Sequence, residues 1–320
     1  MDLAGGFAGA VTGRSMDPQS QRRLGVLFII AAAVAWSTAP FFTRLLVHDS
    51  WTILFWRGVF ASGLIVLFLA ATEGRAGLRN LVVMERSGWI VASLSTLAMV
   101  AFIPALQMTS VANVAVIIAT QPFLAAGLAW IWFREAARGR TLLASLIAFV
   151  GVAITVSQSA ANSDLRGIAL ACLMVFSFSL MTVAVRRYQQ KSMVAAAAMS
   201  NFFGCLISLL FAQGVTSVTA HDIGIFAMFG GLQVALGLTL FVLGSRYLPS
   251  GEASLIATLE APLMVFWVWV GFQEVPTLQA LIGGALVIGA VVADILGDNR
   301  ERARSQRRVT SPSSPSSTDG

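Results

Sequence analysis

Residues 105–135 read ALQMTSVANVAVIIATQPFLAAGLAWIWFRE, and residues 244–274 read GSRYLPSGEASLIATLEAPLMVFWVWVGFQE. At an offset of 139, Gln107 meets Arg246, Asn113 meets Glu252, Gln121 meets Glu260 and Glu135 meets Glu274. Pro122 meets Pro262 with a slip of one residue. Upstream, at an offset of 142, Trp36-Ser37 and Arg44 meet Phe178-Ser179 and Arg186. Self-similarity at a fixed offset marks an internal repeat. The chain therefore reads as two units, 24–157 and 165–296, of five apolar runs each.

Those runs are 25–47, 51–72, 87–108, 111–133, 140–157, 166–185, 193–212, 223–247, 250–272 and 277–296, here called spans one to ten. Each is close to the roughly 20 residues that a helix needs to cross the hydrocarbon of a bilayer. Composition agrees: 57% of the 320 residues are hydrophobic and only 11% are charged, with a mean hydropathy of +0.80. A water-soluble fold of this size needs a polar skin that such a chain lacks. A soluble enzyme, a disordered chain and a nucleic-acid-binding domain are excluded on that ground. The alternating ten-residue strands of a membrane β-barrel are absent. The sequence predicts an all-α polytopic membrane protein of ten transmembrane helices.

The charges orient it. When links are assigned alternately to two sides, one side collects 18 of the 21 Lys and Arg residues, and the other keeps only Arg44, Arg57 and Arg166. Basic flanks stay cytoplasmic, so both termini are expected in the cytoplasm and the protein in a bacterial inner membrane. The net charge of +6 and pI near 10.6 then report topology, not a nucleic-acid partner. Residues 1–23 are expected as a cytoplasmic N-terminal segment without a cleaved signal. Residues 297–320, ending SPSSPSSTDG, are expected as a disordered basic tail. Cys172 and Cys205 lie inside spans and suggest neither a disulfide nor a metal framework.

Five spans per unit is an odd number, so the second unit must cross the membrane in the opposite sense from the first. Inverted repeats are a transporter device: one unit inserted both ways gives two near-equivalent arrangements around a central site. The chain resembles the drug/metabolite transporter superfamily in its EamA-type branch. The matching features are the AL…TS…A stretch at 105–115, Pro122 to Glu135, Pro262 to Glu274, Gly151-Val152 and Trp36-Ser37. The resemblance implies a ten-helix fold and alternating access for small metabolites, often in export. The position matching Arg57 carries no Arg in the second half, where span seven offers Ser200-Asn201.

Glu260 is the eleventh residue of span nine, near the bilayer midplane. An ionisable group there is costly unless paired or hydrated, and by default it marks a functional site. It suits a proton-binding group or a counter-charge for an ammonium; a structural hydrogen-bonding role is the alternative. Gln121 holds the equivalent place in span four. Each precedes a proline, Pro122 or Pro262, that removes an intrahelical donor. Polar residues beside helix breaks in matching segments point to a transport site. Arg57 lies about 9 Å into span two at 1.5 Å per residue, placed either to bind a substrate carboxylate or to anchor at the interface. Asn201 and Gln233 stand mid-span in spans seven and eight, facing a cavity or joining helices. Trp36 is mid-span and could stack on a substrate or pack. Spans one, two, four, six, seven and nine are expected to line the cavity. Glu135 and Glu274 close spans four and nine and read as structural. Ala285, Gly289 and Ala293 on span ten read as a helix contact within the monomer, with a homodimer seam as the alternative.

The sequence supports a secondary transporter of small metabolites, amino-acid-like compounds first because Glu260 and Arg57 offer opposite charges. Partners would be the substrate, the lipid bilayer and protons. No cofactor motif, ATP-binding loop or catalytic set is present. The rival readings are an uncoupled facilitator or channel, and a membrane-embedded enzyme or receptor on the same bundle.

Overall fold

A computed structural model of the chain describes residues 18–109, 111–134, 138–156, 165–188, 193–273 and 275–310. The residues expected to be structural at the ends of spans four and nine, Glu135 and Glu274, lie outside the described residues. Span one is formed by α1 (Pro18–Ser37) and α2 (Ala39–Leu45), span two by α3 (Ser50–Val82) and span three by α4 (Arg86–Met108). Span four is α5 (Val111–Ile118) followed by α6 (Gln121–Phe133), and span five is α7 (Gly139–Val156). In the second unit, α8 (Leu165–Tyr188) and α9 (Met193–Leu209) form spans six and seven. Span eight joins α10 (Ala220–Met228), a π-helix (Phe229–Leu236) and α11 (Gly237–Gly244). Span nine is α12 (Ser250–Ala257) and α13 (Glu260–Phe272), and span ten begins α14 (Leu278–Thr310). Seven of these stretches are long and apolar enough to cross a membrane, and three shorter apolar helices complete the set.

The repeat is legible in the backbone. Spans four and nine break at the same place, since the bounds of α6 and α13 differ by the offset of 139 that aligns the sequences. Both half-helices end on a left-handed residue, Arg134 (φ 54°) and Gln273 (φ 56°). Each break is one tightened turn. Thr120 N–H reaches Ile117 O at 3.0 Å, and Thr258 N–H reaches Leu255 O at 3.1 Å. Span one breaks in the same manner at Thr38, ahead of Pro40. Thr38, Thr120 and Thr258 each donate a hydroxyl to the carbonyl three residues back, at 2.6 Å. A proline two to four residues on cannot continue the ladder, and the threonine hydroxyl satisfies one of the carbonyls left over.

Packing follows the same pseudo-symmetry. Span two packs on seven, four on nine and five on ten. Span three packs on six, and its counterpart, span one, packs on eight. Exchanging each span for its mate in the other half reproduces these pairs, as an inverted repeat requires. Spans five and ten cross closely: a Cβ on Gly283 would fall 2.2 Å from Gly151 O. The contact face of span ten is thus Gly283, Gly284, Val287, Ala290, Val291 and Asp294, all buried. Ala285, Gly289 and Ala293 are exposed, which corrects their expected contact within the monomer. Four-residue spacing was satisfied by two faces of this helix, and the larger buried set is the other one.

Two boundaries differ most. α3 runs past residue 72 to Val82 across a kink at Gly74 (φ 59°). α14 continues through the basic segment to Thr310, because RERARSQRR is rich in helix-favouring Arg, Glu, Ala and Gln and no proline interrupts the run, so Gly297 alone does not end it.

Candidate transport site

The heads of α6 and α13 carry Gln121 and Glu260, side chains in equivalent places with unequal surroundings. Gln121 is buried and its Nε2 donates to Ser254 Oγ on α12 at 3.4 Å. Below it α6 packs tightly on α12, where Gly251 lies against Ala126 and all eight residues of α12 are buried. The opposite ends of the same spans are looser. None of the thirteen residues of α13 is buried, Glu260 is half-buried, and no comparable packing joins α5 to α13 among the described residues. One half of the span-four and span-nine pair is closed, and the other is parted.

At the centre of the bundle, Trp36 meets its repeat mate Phe178 edge-on, with centroids 5.6 Å apart, and Phe241 at 5.0 Å. Gly237 of α11 gives the indole its room, since a Cβ there would lie 2.6 Å from the Trp36 ring. Next to it, Ser37 Oγ accepts from the Trp267 indole N–H at 2.8 Å. Trp267 therefore reaches inward to the break in span one. The mate of Ser37, Ser179, has a buried hydroxyl without a partner.

A third group lies where spans two, seven and eight meet. Arg57 is buried, with its guanidinium 5.3 Å from the Phe229 ring, and Phe229 stacks on Phe42 of α2 at 5.2 Å. Asn201 is fully buried, its Nδ2 turned back to Ala197 O at 2.9 Å. Gln233 is buried on the π-helix, so span eight belongs to this region although it was not among the spans expected to line the cavity. Its signal in the sequence is the glycine-rich run FGGLQVALG.

Two ionic contacts, one buried and one partly buried, close the face that carries the basic residues. Arg22 of α1 donates to Glu252 of α12, with both side chains buried. Arg138 adds a second cation to this group and Asp294 a second anion. Asp294 of α14 accepts from Arg140 Nε at 3.1 Å and Thr141 Oγ1 at 3.0 Å, clamping span five to span ten. Partners 230 and 154 residues apart carry no local sequence signal. The other face is stitched by Thr52 Oγ1, which accepts from Gly214 N–H at 3.2 Å, and by His48 with Asp222 at 3.1 Å.

Five helices repeated in inverted sense, with matched breaks meeting at mid-depth, is the build of a membrane transporter. The chain belongs to the EamA-like transporter family, whose model matches residues 23–157 and 165–293. It is similar to an uncharacterized transporter, YdfC, of Bacillus subtilis (strain 168), with 26% identity over 194 residues. That match covers 58% of this chain and 62% of the relative, so the chain spans about three fifths of the relative's length. A crystal structure of another protein superposes with a TM-score of 0.75 over 87% of this chain and 99% of its own, at 16% identity, a likeness of fold alone.

Proposed function

We propose that the protein is a secondary transporter that moves small polar or amphipathic metabolites, amino-acid-like compounds first, by alternating access. The single observation that carries this reading is the asymmetry of matched half-helices, with α6 packed on α12 and α13 without a buried residue. Inverted repeats have two near-equivalent arrangements, and a chain resting in one of them holds equivalent segments in unequal surroundings. With both termini in the cytoplasm of a bacterial inner membrane, the packed half lies on the cytoplasmic side and the parted half faces outward. Export is the direction that the EamA resemblance favours. Glu260 and Arg57 supply opposite charges for a zwitterion, and Glu260 is the coupling group: a carboxyl at mid-depth can bind and release a proton as each side opens to water.

Glu260→Gln in proteoliposomes tests this, because Gln keeps the shape and removes titration. Proton exchange predicts retained binding of amino-acid probes with loss of the pH dependence of flux. A role in holding the ammonium predicts weaker binding at every pH, more for zwitterionic and cationic probes than for neutral ones. An uncoupled facilitator predicts flux that follows the substrate gradient alone in both proteins. Unchanged binding with unchanged pH dependence in a folded Gln variant would remove Glu260 from the mechanism.

A further inference from the structure

Arg57 stands on α3, whose backbone closely approaches both α9, which carries Asn201, and the π-helix, which carries Gln233. A Cβ on Gly58 would lie 3.1 Å from Asn201 O, and one on Gly230 would lie 2.6 Å from Arg57 O. Glycine at both positions lets α3 meet α9 and the π-helix directly. Gln233 follows Phe229 by one turn of the π-helix, so it continues the face on which the Arg57 guanidinium rests.

All three side chains are more than nine-tenths buried, at 7%, 0% and 8% exposure. Arg57 Nε, Asn201 Oδ1 and Gln233 Oε1 have no hydrogen-bond partner. Among the described residues the guanidinium has no carboxylate partner, only the face of Phe229. Buried polar atoms are nearly always satisfied, and a buried cation without a counter-charge is among the costliest groups a protein can hold. Three unmet buried groups on α3 and the two elements packed against it, one a fixed-charge donor and two acceptors, supply the complement of a ligand. A π-helix is itself a frequent mark of a functional site.

We propose that this cluster is a substrate subsite for a carboxylate that carries a hydrogen-bond donor, an amino or hydroxyl group, on the adjacent carbon. The planar guanidinium takes the carboxylate through paired N–H groups. Asn201 Oδ1 and Gln233 Oε1 accept from the neighbouring donor. The subsite deepens the transporter reading and rests on it. It places the polar head of the substrate among spans two, seven and eight, so that Asn201 and Gln233 replace Glu260 as partners of the substrate's amino group and Glu260, on span nine, is left to coupling.

The test is binding to the purified full-length protein in nanodiscs, read by titration calorimetry. The probes are alanine, leucine and phenylalanine, the matching 2-hydroxy acids, the unsubstituted carboxylic acids and the amino-acid amides. The expected result is that amides bind roughly 10- to 100-fold more weakly than the carboxylates, the worth of hydrogen bonds to a charged group. Gln233→Leu should keep that preference but lose the advantage of 2-amino and 2-hydroxy acids over unsubstituted acids. Arg57→Gln should abolish the carboxylate preference; if that variant does not fold, the wild-type series and Gln233→Leu decide alone. Tighter binding of amino acids identifies the ammonium as the donor read, and tighter binding of hydroxy acids identifies the hydroxyl. Equal binding of acids and amides, or no binding by any probe, overturns the subsite. Selective binding without flux in proteoliposomes would leave the subsite standing and overturn the transporter reading instead.

Discussion

Gln121 and Glu260 differ by one functional group and head matched half-helices, yet one is buried against Ser254 and the other is half-buried. Both were legible in the sequence, because a polar residue at mid-span beside a proline is rare and stands out against apolar neighbours. Arg57 was legible as a charge but not in its surroundings. Depth along a helix leaves snorkelling open, and only the packing of Phe229 and Gly230 shows the guanidinium turned inward. Outside the spans, Asp49 caps α3, accepting from the Trp51 and Thr52 N–H groups at 3.1 and 3.0 Å and from the Thr52 hydroxyl. Burial pushes its carboxyl up, but those hydrogen bonds outweigh burial and hold it below the ordinary 3.8. A carboxylate lowered in this way stabilises the fold fully above its ordinary value and loses that effect as pH falls through the lowered one. Asp49→Ala should cost about 1 kcal/mol at neutral pH, as loss of an N-cap does. The difference from wild type should close in acid, measured by thermal unfolding in detergent across pH 7 to 3.

The element breaks divide into those the sequence announces and those it hides. Pro122 and Pro262 announced the breaks of spans four and nine, and Pro40 does the same for span one. The π-helix was hidden because one extra residue in a turn leaves the apolar pattern of span eight unchanged. The Arg22–Glu252 contact was hidden because pairing between distant spans has no periodic trace, and Glu252 reads locally as a residue at a span end. In the structure it ties α1 to α12 on the face where α12 packs on α6, so it belongs to the closed side. Removing one partner leaves a buried charge and costs about 3–5 kcal/mol, while replacing both with apolar residues is often neutral or stabilising. Arg22→Met should therefore lower the unfolding temperature, and Arg22→Met with Glu252→Leu should restore most of the loss. A double variant no better than the single one would show that the pair does not act as a unit.

At the scale of the molecule, two five-helix units of one family pack so that each contact pair has a mate in the other half. The basic asymmetry of the links predicts an orientation. Cysteines introduced at Arg308 and His221 should be labelled from opposite sides of the membrane, the first from the cytoplasm, and labelling of both from one side would remove the assigned topology. Under the proposed alternating access, the pseudo-symmetry also specifies the second conformer. Applied to Gln121 and Ser254, the offset of 139 places Glu260 beside Ala115, so α13 should close on α5 as α6 parts from α12. The most direct measurement is a pair of spin-label distances on a background lacking Cys172 and Cys205, one between Arg134 and Pro249 on the packed side and one between Asn113 and Gln273 on the parted side. Under turnover with an amino-acid mixture in proteoliposomes, the first distance should lengthen as the second shortens. Two distances that stay fixed during measured flux, or that change in the same direction, would contradict alternating access by this pair of broken spans.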